Sequence, residues 1–231
     1  MSQTPRVDVV IPVFNERASL PLVLEALAPL AVDEVVVVDN GSTDGSGEIA
    51  RAAGATVVEE ARPGYGSACL AGLAYLRERS RSPEIVVFVD GDFSDHPEEL
   101  PSLVAPIAAG ASDFVVGSRT LGERERGALL PQARFGNWLA SRLIRLFYGL
   151  EVSDLGPFRA IRWPALEALA MADRDFGWTA EMQVKAAKAG LRYQEVPVRY
   201  RKRIGVSKIT GTVRGTILAG WKILYTVFRY R

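Results

Sequence analysis

Apolar and polar positions follow two alternating rhythms through the first half of the chain. Val7 to Val13, Glu34 to Asp39, Ala55 to Glu59, Ile85 to Asp90 and Phe114 to Gly117 are β-branched runs of strand length. Between them, Ser19 to Leu27, Gly45 to Ala53, Ser67 to Glu78 and Glu98 to Ala109 carry helical spacing. Thr43 or Asp44 is placed to cap the second of these helices, and Pro97 to open the fourth. Apolar strands alternating with helices predict an α/β fold with a mostly parallel sheet covered by helices.

After Arg119 the rhythm changes. A loop rich in Glu and Arg leads to an amphipathic helix from about Gln132 to Tyr148, with Phe135, Leu139, Leu143 and Leu146 on one side. Asp154 begins a turn with Gly156 and Pro157. A strand over Phe158 to Ile161, a short helix after Pro164, a helix from Thr179 to Ala189 and a strand from Arg192 to Tyr200 follow. From Arg214 to Arg231, Ile217, Leu218, Trp221, Leu224, Tyr225 and Phe228 recur at helical spacing beside Lys222, Arg229 and Arg231. No repeat or linker divides the chain. The expectation is one domain with two functional halves, 1–119 and 120–210, and an amphipathic cationic tail helix over 211–231.

Composition narrows the chemistry. With 231 residues and 48% hydrophobic content the chain can bury a large core. One cysteine, Cys69, and one histidine, His96, exclude a disulfide framework and a Cys-rich zinc site, and leave little room for Ser-His or Cys-His catalysis. The net charge of +1 argues against a general nucleic-acid binder, yet it hides an asymmetry: from residue 196 onward there are nine bases and no acid. No secretory leader is visible, and the apolar stretch Ile217 to Phe228 is too short to span a bilayer. The expected location is the cytoplasm, peripheral at the inner face of the membrane.

Carboxylates must then carry the chemistry. Asp90, Gly91 and Asp92 follow directly on an apolar strand, where open α/β sheets bind ligands. Two hard carboxylates at alternate positions suit Mg²⁺ or Mn²⁺ bridging a diphosphate, with Gly91 letting a ligand approach; a solvated acidic turn is the plainer alternative. Asp39, at another strand end, is placed to accept hydrogen bonds from a ribose or base, with Ser42 to Asp44 building the turn beyond it. The ring of Phe14 could line a base pocket. Arg62 to Cys69 lacks the sixth-position glycine of a dinucleotide fingerprint, so Gly64 and Gly66 read as permitting close backbone approach to a ligand before a helix N-terminus.

In order and spacing, Val10 to Glu16, Val38 to Asp44, Arg62 to Gly66 and Asp90 to Asp92 resemble the inverting glycosyltransferases of family 2, with the GT-A fold. Gly117 to Arg119, Asp154 to Arg159, Glu181 and Arg203 to Lys208 extend the likeness to the dolichyl-phosphate mannose synthase branch. The resemblance implies that Asp39 holds the nucleoside, that Pro12, Phe14 and Glu16 wall the base, and that Asp90 and Asp92 form the metal and diphosphate site. It implies that Arg119, Arg134, Arg203 and Lys208 handle phosphates. Ser94 stands where mannose synthases commonly carry glutamine, and the Asp154 to Arg159 turn is shorter than theirs, which leaves the donor sugar open.

The implied reaction is inverting, metal-dependent transfer of one sugar from a UDP- or GDP-linked hexose, bound by a nucleotide-sugar-binding half over 1–119, to a polyprenyl phosphate in an acceptor half over 120–210. Asp92 and Arg119 are then catalytic, the metal and positive groups stabilise the departing diphosphate, and Arg119, Arg134, Arg203 and Lys208 bind the acceptor phosphate. A hydroxyl acceptor would instead require a general base, Asp154 or Glu181. For Glu181 an ion pair with Lys185 at i+4 is the alternative, and for Asp154 an Asx turn. From other classes, a nucleotide-sugar pyrophosphorylase lacks its Gly-rich N-terminal signature here, and a non-catalytic membrane-surface protein leaves Asp90 and Asp92 unexplained. The tail is read as separable: truncation before Arg214 is expected to abolish liposome binding and spare nucleotide binding.

Overall fold

A computed structural model of the chain describes residues 5–205 and 213–231. Among the described residues one mixed sheet holds β1 (Val7–Val13), β2 (Glu34–Asp39), β3 (Thr56–Glu59), β4 (Ile85–Phe88), β5 (Phe114–Ser118), β6 (Arg159–Arg162) and β7 (Tyr193–Pro197), in the order β3-β2-β1-β4-β6-β5-β7. Every pairing is parallel except those of β6, which runs antiparallel to both β4 and β5. The helices are α1 (Leu20–Leu27), α2 (Ser46–Ala52), α3 (Tyr65–Glu78), α4 (Leu100–Ala108), α5 (Pro131–Tyr148), α6 (Trp163–Leu169), α7 (Trp178–Lys188) and α8 (Val213–Arg229). This is the mostly parallel, helix-flanked sheet expected from the pattern.

The central strands are apolar throughout because both faces are covered. Val9 and Ile11 of β1 join one cluster with Leu20, Val23, Leu103 and Ile107. Val10, at the alternate position, joins the other with Leu73, Leu76, Phe88 and Trp178. A third cluster, with Ala140, Ile144, Leu155, Val184 and Val227, packs α5, α7 and α8 together away from the sheet.

Two departures affect the site. β4 stops at Phe88 rather than Asp90; Val89 keeps one bond, to the Val10 carbonyl (3.3 Å), and the next carboxylates leave the ladder. On α5 the core takes Ala140 and Ile144, so Phe135 and Leu146, at the two ends of the apolar stripe, stand exposed. None of the described helices is long and apolar enough to cross a membrane.

Candidate active site

The loops after β1, β2 and β4 meet at the carboxyl edge of the sheet. Beyond β1 the backbone turns through Asn15 at φ 56°, in the left-handed region. The Asn15 side-chain oxygen accepts the Thr43 amide (2.8 Å), its amide donates to Ser42 Oγ (2.9 Å), and the Glu16 amide donates to Ser46 Oγ (2.9 Å). The first two loops are thereby fastened together, with the Phe14 ring exposed on the rim. Beyond β4, Asp92 Oδ1 accepts both the Ser94 amide (2.8 Å) and the Ser94 hydroxyl (2.5 Å), around Phe93 at φ 59°. Arg203 reaches in from the far end of the chain: Nη2 donates to Glu16 Oε1 (2.9 Å), and Nη1 lies 3.3 Å from Asp92 Oδ2. The Tyr65 hydroxyl donates to Asp90 Oδ1 (3.0 Å). Together with Pro12, Asn40, Gly64, Asp175 and Phe176, these groups bound a cleft of about 570 Å³.

The cleft floor is electrostatically loaded. Burial, and then the neighbouring Asp92 charge, push the Asp90 carboxyl up to about 7 against the opposing pull of Tyr65, Arg203 and Arg119. Asp95 is 1% exposed and has no hydrogen-bond partner on either oxygen among the described residues. Burial, followed by Asp90 and Asp92, raises its carboxyl well above the ordinary range. A divalent cation between Asp90 and Asp92 would relieve this repulsion, and their hard oxygens suit Mg²⁺ or Mn²⁺. Among the described residues no three acid, His or Cys side chains form a closed cage. A diphosphate and water would have to complete the coordination.

The family model described as Glycosyl transferase family 2 matches residues 8–169. The chain belongs to this family. The transferase is 41% identical over 223 residues to an uncharacterized glycosyltransferase of Mycobacterium tuberculosis, covering 94% of this chain and 97% of the relative. It is 33% identical over 222 residues to the undecaprenyl-phosphate mannosyltransferase of Micrococcus luteus, covering 91% and 90%. It is 30% identical over 231 residues to the polyprenol monophosphomannose synthase of Mycolicibacterium smegmatis, covering 90% and 83%. Among solved structures, glucosyl-3-phosphoglycerate synthase of Mycobacterium tuberculosis, crystallised with Mn²⁺, UDP and glucosyl-3-phosphoglycerate, superposes with a TM-score of 0.76 at 24% identity, covering 98% of this chain and 80% of that one. That likeness places the transferase in the same GT-A fold.

Several residues singled out in the sequence do other work in the transferase than expected. Gly64 and Gly66 make room for the protein itself: a Cβ on Gly64 would lie 2.2 Å from the Arg174 carbonyl oxygen, and one on Gly66 would lie 2.1 Å from that of Asp173. Only Gly64 also lines the cleft. Asp154 is fully buried beneath Arg119, which grips it through Nε (2.8 Å), Nη2 (2.7 Å) and the backbone amide (2.7 Å). Glu181 is equally buried. Its carboxylate holds Lys185 (2.9 Å), the Tyr230 hydroxyl (2.6 Å) and the amides of Ala172 and Asp173, contacts that together keep its pKa low despite burial. Neither Asp154 nor Glu181 lines the cleft, so the ion pair with Lys185 is the observed role of Glu181.

The residues expected to handle phosphates are spread out. Arg203 is in the cleft, and Arg119 is tied to Asp154 beside the Tyr200 ring (5.1 Å). Arg134 belongs to a second cleft of about 630 Å³, where Arg124, Arg142 and Arg145 gather around Phe135 and Trp138. Lys208 lies outside the described residues. Asp39 accepts the Ser42 amide (2.8 Å) and covers Gly47, while its neighbours Asn40 and Gly41 line the cleft.

Sequence reasoning missed Tyr65, Asn40, Asp95, Asp175 and Phe176. Asn40 donates to the carbonyls of Glu60 (2.9 Å) and Arg62 (2.7 Å) and accepts the Gly64 amide (2.9 Å), fixing the loop that walls the cleft. Tyr65 stood in view between the two glycines. Asp175 and Phe176 come from far along the chain and carry no local signal.

Proposed function

We propose that the protein transfers a single sugar, with inversion, from a nucleoside-diphosphate sugar seated in the Asp90–Asp92 cleft to the phosphate of a polyprenyl phosphate. Phe14 and Pro12 wall the base, Asp39 and the loop after it receive the nucleoside, and Asp90 and Asp92 hold Mg²⁺ or Mn²⁺. The metal supplies charge neutralisation for the departing diphosphate. Arg203 turns from Asp92 and Glu16 toward the diphosphate oxygens, stabilising negative charge as the glycosidic bond breaks. The acceptor oxygen attacks the opposite face of the anomeric carbon.

The observation that carries this reading is the state of Asp154 and Glu181. Both candidate bases for a hydroxyl acceptor are saturated by ion pairs and amides away from the cleft. A phosphate acceptor is already anionic at neutral pH and needs positioning, not deprotonation. The arginine-lined cleft around Arg134 provides a fitting surface, and the end of β5 links the two clefts: Arg119 favours the charged form of Asp90, and the adjacent Thr120 lines the arginine cleft. Arg119, Arg134, Arg203 and Lys208 are proposed to share the two phosphate sites. Exposed Leu218, Trp221, Tyr225 and Phe228 on α8, joined to α5 through the Phe147–Phe228 ring contact (5.3 Å), supply a face for the inner leaflet where such a lipid is presented.

The test is a panel of UDP and GDP sugars with Mn²⁺, offered with a short polyprenyl phosphate, the matching polyprenol and 3-phosphoglycerate. Transfer to the lipid phosphate alone is expected. Transfer to the polyprenol hydroxyl or only to the soluble phosphate overturns the acceptor assignment.

A further inference from the structure

The segment 172–177 is shared between two parts of the molecule. On one side it walls the cleft: Asp175 and Phe176 line it, and the Asp173 and Arg174 carbonyls press on Gly66 and Gly64. The Ser67 amide donates to the Arg174 carbonyl (2.9 Å), tying the segment to the start of α3 beside Tyr65. On the other side it is held by α8. Asp173, 9% exposed, accepts the amides of Asp175 (2.8 Å) and Gly177 (3.2 Å) through Oδ1, and its Oδ2 pairs with Lys222 (3.0 Å).

The residue just beyond the end of α8 holds the segment a second time. Glu181, which accepts the amides of Ala172 and Asp173, is itself held by the Tyr230 hydroxyl (2.6 Å). Lys222 and Tyr230 are eight residues apart, about 12 Å along a helix. Between these anchors Thr226 packs on Gly177, where a Cβ would lie 2.5 Å from Oγ1. Lys222 is therefore not one of the cations presented outward beside the exposed aromatic face; it points back into the protein.

We propose that the tail helix sets the position of the donor-cleft wall, with Lys222 acting through Asp173 as a positioning residue for nucleotide binding. This reverses the expectation that the tail can be removed without cost to that binding, and it rests on the cleft being the donor site. Lys222 touches no ligand. It fixes the carboxylate that shapes the 173–177 turn, and the turn fixes where Asp175 and Phe176 stand. A group held in place by packing and hydrogen bonds of this kind keeps a binding surface within a few tenths of an ångström of its working geometry.

The experiment compares full-length wild type, Lys222→Ala, Lys222→Arg and Tyr148→Phe. The last variant removes the bond from the Tyr148 hydroxyl of α5 to the Val227 carbonyl and leaves the Lys222–Asp173 and Tyr230–Glu181 contacts in place. UDP and GDP are titrated with Mn²⁺, and amide exchange is followed over 172–177. Lys222→Ala is expected to weaken nucleotide binding about 3- to 10-fold and raise donor KM with kcat nearly unchanged. Exchange at Asp175 and Gly177 should quicken, Lys222→Arg should restore most of both, and Tyr148→Phe should match wild type. Unchanged affinity or exchange in Lys222→Ala overturns the proposal, as does an equal loss in Tyr148→Phe. A wild type that binds neither nucleotide defeats the donor reading instead, and the exchange data still decide whether α8 holds the wall.

Discussion

Asp90→Asn should stabilise the metal-free protein at neutral pH while destroying its metal-dependent nucleotide binding. The Asp90 carboxyl sits at about 7 in the fold against 3.8 for a free side chain, chiefly through burial and then the Asp92 charge. The native state thus binds this proton more tightly than the unfolded chain does, so stability falls as pH rises from about 4 to about 7 and is level above. Between pH 5 and pH 8 the wild type loses about 3 kcal/mol at this one group, at about 1.4 kcal/mol per pH unit up to the folded value. Asparagine cannot ionise, keeps an acceptor for Tyr65 and escapes that loss. For a chain of 231 residues the unfolding entropy is about 0.5 kcal/mol per kelvin, so the variant should gain about 6 °C in Tm at pH 8 relative to its difference at pH 5. The assay is thermal unfolding in chelator at the two pH values, repeated with Mn²⁺ and nucleotide. Added ligand should raise the wild-type Tm by mass action and leave the variant unmoved. Equal Tm differences at both pH values, or a variant still stabilised by Mn²⁺ and nucleotide, would refute the reasoning.

Gly66→Ala drives a methyl group into the Asp173 carbonyl, and a backbone clash of that depth should cost about 2–4 kcal/mol and weaken nucleotide binding as the wall is displaced; denaturant unfolding and titration check both. Trp221→Ser with Tyr225→Ser removes the stacked, exposed pair on α8 (5.2 Å between rings) and should sharply reduce cosedimentation with anionic liposomes, with nucleotide affinity kept. Liposome binding at the wild-type level would deny that face its membrane role.

The hydrophobic runs specified most of the sheet because its central strands are covered on both faces. β1 and β2 have the bounds that Val7 to Val13 and Glu34 to Asp39 predict. The reversed direction of β6 was not legible, since a run of four residues carries no mark of strand direction. Stripes on α5 and α8 were visible as periodicity, but periodicity does not say which side another element will cover; Phe135 and Trp221 face out, while Ala140 and Val227 are buried. Around the cleft, Asp90 and Asp92 were legible as paired carboxylates beyond a strand end, and both line it. The roles of Asp154 and Glu181 were not, because a carboxylate's function depends on partners such as Arg119 and Tyr230 that lie 35 and 49 residues away. Gly64 and Gly66 announced a close approach without naming what approaches.

Among the described residues, the antiparallel pairing of Ile85–Phe88 with Arg159–Arg162 is the one ladder joining the β3-β2-β1-β4 side of the sheet to the β6-β5-β7 side. Asp90 and Asp92 emerge where that seam ends. The cleft draws on both sides of that seam: Pro12, Asn40 and Asp92 belong to the first, and Asp175, Phe176 and Arg203 to chain that follows β6. Neither side alone encloses it. A ligand seated there touches both sides at once, so by mass action it acts as a clasp on the join as well as filling the cleft.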